Sequence, residues 1–166
     1  DTNYVSLTAQ GLQFLPVDGY YKISVNTDTK MVLFKRVNAD GTDATLADDG
    51  SGAIWLMGWG TGLPSLDFQF GWNPGAAYCM PEVRPGVYQL IGTAGPEKGS
   101  AIGQYFRYDY LSFKYFHQNG WGGEMTAENT TLVSDLIAVK GNLELADGVQ
   151  LVENNVYCLV IDASAG

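Results

Sequence analysis

Gln104–Glu124, QYFRYDYLSFKYFHQNGWGGE, holds eight aromatic residues and the only histidine of a 166-residue chain. From Leu111 to Gln118 it alternates like a strand. Leu111, Phe113 and Tyr115 point one way, while Ser112, Lys114, Phe116 and Gln118 point the other. The odd-numbered face reads as core. The even face carries a cation, an amide and a ring read as exposed, an unusual set for a face with nothing to bind. Asn119-Gly120-Trp121-Gly122-Gly123-Glu124 then presents a tryptophan on permissive backbone. Flat rings beside amides and charges suit a polar ligand with apolar patches, and a sugar chain is the commonest ligand of that kind.

Outward from this stretch, the chain reads as strands and turns. Tyr4–Thr8 and Gly11–Leu15 are short strand candidates, and Tyr20–Asn26 and Met31–Val37 form a hairpin across Thr27-Asp28-Thr29-Lys30. Asn38–Gly52 is loop-like, a boundary between an N-terminal part, 1–45, and a complete module, 46–166. Asn38, Asp40 and Asp43 are spaced in the style of a calcium loop, but no glutamate stands at the matching distance; a solvated loop is the better reading.

Ala53–Trp59 restarts the sheet. Leu66, Phe68, Phe70 and Trp72 alternate as in a half-buried extended segment, and Gly71–Gly75 is a turn. Ala76–Val83 and Gly86–Thr93 read as strands, Ala94–Gly103 as loop. Thr126–Val139 suits either a helical turn or extended structure, and Leu143–Leu145 and Val156–Asp162 are the closing strands. About ten short strands joined by turns predict an all-β, Ig-like β-sandwich of short antiparallel strands.

The composition agrees with a folded β domain: 13% aromatic, 16% charged, and long enough to bury a core. Acids outnumber bases 18 to 9, a net charge of −9 without a basic cluster, which argues against nucleic acid and anionic membrane surfaces as partners. No run of 18 apolar residues exists to span a membrane. No leader-type segment opens the chain, which enters strand-like sequence at Asp1 as a mature or excised fragment does. Cys79 and Cys158 lie in apolar contexts and read as two small buried hydrophobes. One histidine with two distant cysteines makes no zinc site, and no cofactor is implied.

The chain also repeats itself. Gly11-Leu-Gln-Phe-Leu followed by Gly19-Tyr-Tyr-Lys-Ile-Ser-Val-Asn26 matches Gly148-Val-Gln-Leu-Val followed by Asn155-Val-Tyr-Cys-Leu-Val-Ile-Asp162, with spacing that differs by one residue. Gly86-Val-Tyr-Gln-Leu-Ile-Gly92 is a third, partial copy. The repeat predicts that the N-terminal strands are the closing strands of one module and that a complete second module follows, as in a tandem array.

Ile54-Trp-Leu-Met-Gly-Trp-Gly, Gly71-Trp72, Pro85-Gly-Val-Tyr-Gln-Leu, Phe113-Lys-Tyr-Phe and the final Val-Tyr-Cys-Leu-Val-Ile-Asp162 fall in an order that resembles a module of the SusE/SusF-type surface lipoproteins, which accompany the outer-membrane glycan-uptake systems of the Bacteroidetes. The resemblance covers residues 53–162. It implies a β-sandwich carbohydrate-binding module at the cell surface, held to the outer membrane by a lipid anchor and working beside SusC/SusD-like proteins. Oligosaccharide or polysaccharide is the implied ligand. The family's Val-Gly-Asp-Ala-Thr turn is replaced here by Met57-Gly58-Trp59-Gly60-Thr61, so starch does not carry over, and another glycan or a peptide stays open.

Sugar binding needs a flat ring against a pyranose and planar groups for its hydroxyls. Trp59, Trp72 and Trp121, each beside glycine, are the candidate platforms. Lys114, Gln118 and Glu124 are the candidate polar contacts, against the alternative of a plain solvated face. Trp55, inside a strand, reads as a core plug, His117 as a satisfied structural histidine, and Arg107 with Asp109 as an exposed cross-strand pair. No nucleophile motif surrounds His117, and Glu82 and Glu124 are the only acids embedded among aromatics, so catalysis is not expected. The alternative to a glycan-binding module is a structural or docking subunit whose aromatics contact protein.

Overall fold

The computed structural model describes residues 1–126 and 128–164. The chain is all-β and sandwich-like, with antiparallel sheets packed face to face. Two hairpins come first: β1 (Val5–Thr8) with β2 (Gly11–Phe14), and β3 (Tyr20–Asn26) with β4 (Met31–Val37). The module proper follows: β5 (Ile54–Gly62), β6 (Gln69–Gly71), β7 (Tyr78–Met80), β8 (Glu82–Arg84), β9 (Val87–Gly95), β10 (Gln104–Arg107), β11 (Ser112–Phe116), β12 (Ile137–Lys140), β13 (Asn142–Leu145) and β14 (Val156–Asp162).

One strand belongs to both layers. The first half of β5 pairs with β11 and β7, and its second half reaches β6 and, at Thr61, β10; beyond β10 lie β9 and β14. The β9–β10 pairing is parallel. The path β12-β13-β11-β5-β10-β9-β14 therefore folds over on itself at β5, where Gly58 and Gly60 take positive φ of 135° and 82°. A Cβ on Gly58 would lie 2.3 Å from the Ser112 carbonyl oxygen, so only glycine lets β11 approach there.

The fold makes two apolar cores. Ile54, Leu56, Tyr88, Leu90, Phe113 and Tyr115 fill the space between the layers, as the odd-face reading of β11 requires. The opposite face of the same strands buries Trp55, Met57, Cys79 and Phe116 in a smaller cluster roofed by Ala44. Phe116, read from sequence as an exposed ring, is fully buried there. The Asn38–Gly52 loop is accordingly not solvated throughout: the Trp55 indole donates to the Ala44 carbonyl at 3.0 Å, and Leu46 N donates to the His117 carbonyl.

Other expectations shift for local reasons. Leu66–Phe68 is one 3₁₀ turn rather than extended, because the Ser65 side chain accepts from Asp67 N and caps it. Pro81 interrupts Ala76–Val83, leaving β7 and β8 separate. Thr126–Val139 holds no helical turn among its described residues; only Ile137 onward is strand. Gly148–Val152, the partner of β2 in the repeat, is not a strand. Cys158 is exposed rather than buried, because it lies on the outward face of β14, and both cysteines are free.

The hairpins are fastened to the module by buried polar links. Tyr4, fully buried, donates from its hydroxyl to the Cys79 carbonyl at 2.7 Å and stacks on Phe34. Buried Glu82 accepts from Gly86 N and Gly52 N, and its carboxylate lies 3.6 Å from the Arg36 guanidinium.

Candidate functional site: an aromatic platform on the outer face

Register decides which side chains share the outer face. Across β5 and β11, Phe116 lies opposite Trp55, Lys114 opposite Met57 and Ser112 opposite Trp59, so all six project to the same side. Trp72, just beyond β6, packs on the small cluster of Trp55, Met57 and Phe116. Trp121 completes the surface. Its ring stands edge-on to Phe116 at 5.9 Å and lies over Trp72, with centroids 6.4 Å apart and planes at 26°.

The turn that carries Trp121 is held on both flanks. His117 N donates to the Gly123 carbonyl at 2.8 Å, and Phe116 pairs with Glu124. Gln118 Nε2 donates to the Trp121 carbonyl at 2.6 Å, and Asn119 Nδ2 donates to Asp43 Oδ2 at 2.6 Å. Asp43 also pairs with Lys35, whose ammonium lies 5.9 Å from the Trp55 ring centroid. Partial burial pushes the Asp43 carboxyl up, but hydrogen bonds from Lys35 and Asn119 outweigh it and hold the group below the usual carboxylate value. Lys114 Nζ meets Glu124 Oε2 at 2.8 Å.

The structure thus joins Trp72 to Trp121, Gln118 to Trp121, and Lys114 to Glu124. Trp59 shares the face but stands apart. Its ring lies over the bare backbone of Gly71, and among the described residues it stacks on no other aromatic ring. Trp121 is 57% exposed and Trp59 46%, while Trp72 is half-buried between Trp121 and the cluster. Trp55 is the core plug that its strand position implies.

His117 departs from expectation: it is partly exposed, and its Nε2 is buried without a hydrogen-bond partner, so it is not a satisfied structural histidine. Arg107 and Asp109 pair two residues apart along the chain, not across strands, and Glu97 joins them at 3.2 Å. Sequence reading missed Asp43, Asn119 and Lys35. Asn119 had a signal, an Asn-Gly turn directly before the tryptophan. Asp43 looked like one more loop carboxylate.

Trp121 leaves the platform open to solvent. A hollow of about 640 Å³ lies elsewhere, between the layers, with Leu132, Leu143, Tyr157 and Leu159 in its mainly apolar wall. Among the described residues no helix is long and apolar enough to cross a membrane.

A family described as "Domain of unknown function (DUF5121)" matches residues 49–164, from the loop before β5 to just past β14. The chain belongs to that family. No curated protein and no solved structure matches it.

Proposed function

We propose that this chain is a non-catalytic glycan-binding domain of a surface-exposed lipoprotein that serves an outer-membrane nutrient-uptake system. The observation that carries the reading is the Trp72–Trp121 stack, which is exposed on one side, backed by a buried aromatic floor and fixed by side-chain hydrogen bonds to its turn. Such a platform offers a broad π surface to the C–H face of a sugar without ordering on binding. Lys114, Glu124 and Gln118 flank it with donors and acceptors for hydroxyls. Its openness suits a ligand that continues past the site in both directions, as an oligosaccharide or polysaccharide chain does. The SusE/SusF-like order of motifs in residues 53–162 supports the cellular setting: a lipid anchor outside this segment and SusC/SusD-like neighbours.

The test is tryptophan emission during titration with soluble α-glucans, β-glucans, mannans and other oligosaccharides. A saturable change with one class, lost in Trp121→Ala, is the expected result. A flat response across the panel from folded protein would overturn the reading.

A further inference from the structure

The internal repeat has a structural counterpart at two tyrosines. Tyr21 donates from its hydroxyl to the Val17 carbonyl at 2.8 Å, four residues upstream. Tyr157 accepts at its hydroxyl from Val152 N at 2.7 Å, five residues upstream. A tyrosine that ties the start of a strand back to the preceding segment is a corner device of β-sandwiches. Strands β3 and β14 therefore begin alike, with Ile23 and Val25 at the positions of Leu159 and Ile161.

Beyond that corner the copies differ in what covers them. Along its whole length β14 pairs with β9, from Val156↔Thr93 to Asp162↔Val87, and Tyr157, Leu159 and Ile161 lie against the core. Strand β3 pairs with β4 alone; among the described residues none of its backbone groups bonds elsewhere. Ile23 is 63% and Val25 68% exposed, and Val32, opposite Val25, is exposed too. The neighbouring hairpin adds Leu7 and Leu12, also bare, on the face of β1 and β2 that carries Phe14. Phe14 touches Tyr21 and Phe34 and so joins the two hairpins. A seven-residue edge with no proline and one charge, Lys22 on its other face, lacks the usual protection against strand addition.

We propose that the free edge of β3 accepts an extended strand from a partner β-module, paired antiparallel as β9 pairs with β14. The β9–β14 register states the partner's chemistry. Opposite Val25, Ile23 and Tyr21 would stand an aromatic, an aliphatic and a glycine, as Tyr88, Leu90 and Gly92 stand opposite Ile161, Leu159 and Tyr157. Main-chain hydrogen bonds hold such a strand, and the alternating side chains select it.

The test offers the whole chain a synthetic peptide of β9 sequence, Gly86–Gly95, and follows hydrogen exchange at the Tyr20–Asn26 amides. Exchange there slows by about tenfold or more at saturating peptide, while β14 amides keep their rates. A scrambled peptide has no effect, and neither does the β9 peptide on Val25→Lys, which places a charge on the face to be covered while the module keeps its melting transition. Unchanged exchange at about 1 mM peptide overturns the proposal. So does slowing confined to β14. Protection without peptide that rises with protein concentration, together with a dimer by light scattering, overturns it too, because the occupant is then a second copy of this chain.

Discussion

Trp72 and Trp121 lie face to face, 6.4 Å between ring centroids, although 49 positions separate them in the chain. The contact joins the turn after β6 to the turn after β11 and sets both above the buried ring of Phe116. An offset pair at this distance contributes about 0.5–1.5 kcal/mol beyond area burial, enough to fix a surface turn but not to hold the domain together.

Trp121→Ala therefore leaves the fold intact and lowers the melting temperature by only a few degrees, about 2–4 °C per kcal/mol lost. Trp72→Ala lowers it further, because that ring also covers the small core. Near-ultraviolet circular dichroism checks the stack: coupled indoles give a paired signal, which either substitution removes. A spectrum unchanged in Trp121→Ala would mean that the rings do not stack in solution.

Gly58→Ala tests the crossing at β5. The new methyl would need φ near +135° and would sit 2.4 Å from the Phe113 Cα. Strain of this kind costs about 1–3 kcal/mol before the clash with β11 is added. The expected outcome is insoluble protein or a melting temperature at least about 5 °C lower. Gly99→Ala is the comparison: it also has positive φ but nothing within 4 Å, and it suffers only the backbone strain. Equal losses in the two variants would show that the approach of β11 does not constrain β5.

These two sites also mark how far sequence reading carries. The core face of β11 was legible because alternation fixes which residues point inward, and the Tyr20–Val37 hairpin because polar turn residues separate two strand-like runs. Trp59, Trp72 and Trp121 were legible as candidates because each stands beside glycine. Their arrangement was not, since the Trp72–Trp121 contact depends on how β6 and β11 flank β5. Phe116 was misread because period-2 reasoning assigns a face but does not say whether that face is covered. Here the Asn38–Gly52 loop and Trp121 cover it.

The two cysteines differ enough to be counted separately. Burial pushes the Cys79 thiol up to about 11, and its sulfur accepts from Arg36 N at 3.4 Å. Cys158 is exposed on β14, where its sulfur donates to Gln89 Oε1 at 3.9 Å, and partial burial raises its thiol as well. A disulfide reagent such as Ellman's at pH 8 should titrate one thiol per native chain, slowly, and two after denaturation. Cys158→Ser should abolish the native reaction. Two reactive thiols in native protein would show that the β4–β7 seam around Cys79 opens readily.

The Asp43 links predict how the platform responds to acid. Its carboxyl is held below the ordinary value of about 3.9, so the stabilisation is complete above that pH and is lost as pH falls through the lowered native value. Between pH 7 and about 5 the links to Lys35 and Asn119 stay whole, and Trp121 emission should be flat. Below about pH 4 protonation weakens both, the 119–123 turn loosens and the emission shifts red. Asp43→Asn abolishes the charge pairing with Lys35 at every pH, so its acid limb should be reduced or absent, with the native pH 7 spectrum already shifted toward the acid form. A wild-type midpoint at or above the ordinary carboxylate value, or an unchanged acid limb in Asp43→Asn, would show that another carboxylate governs the turn.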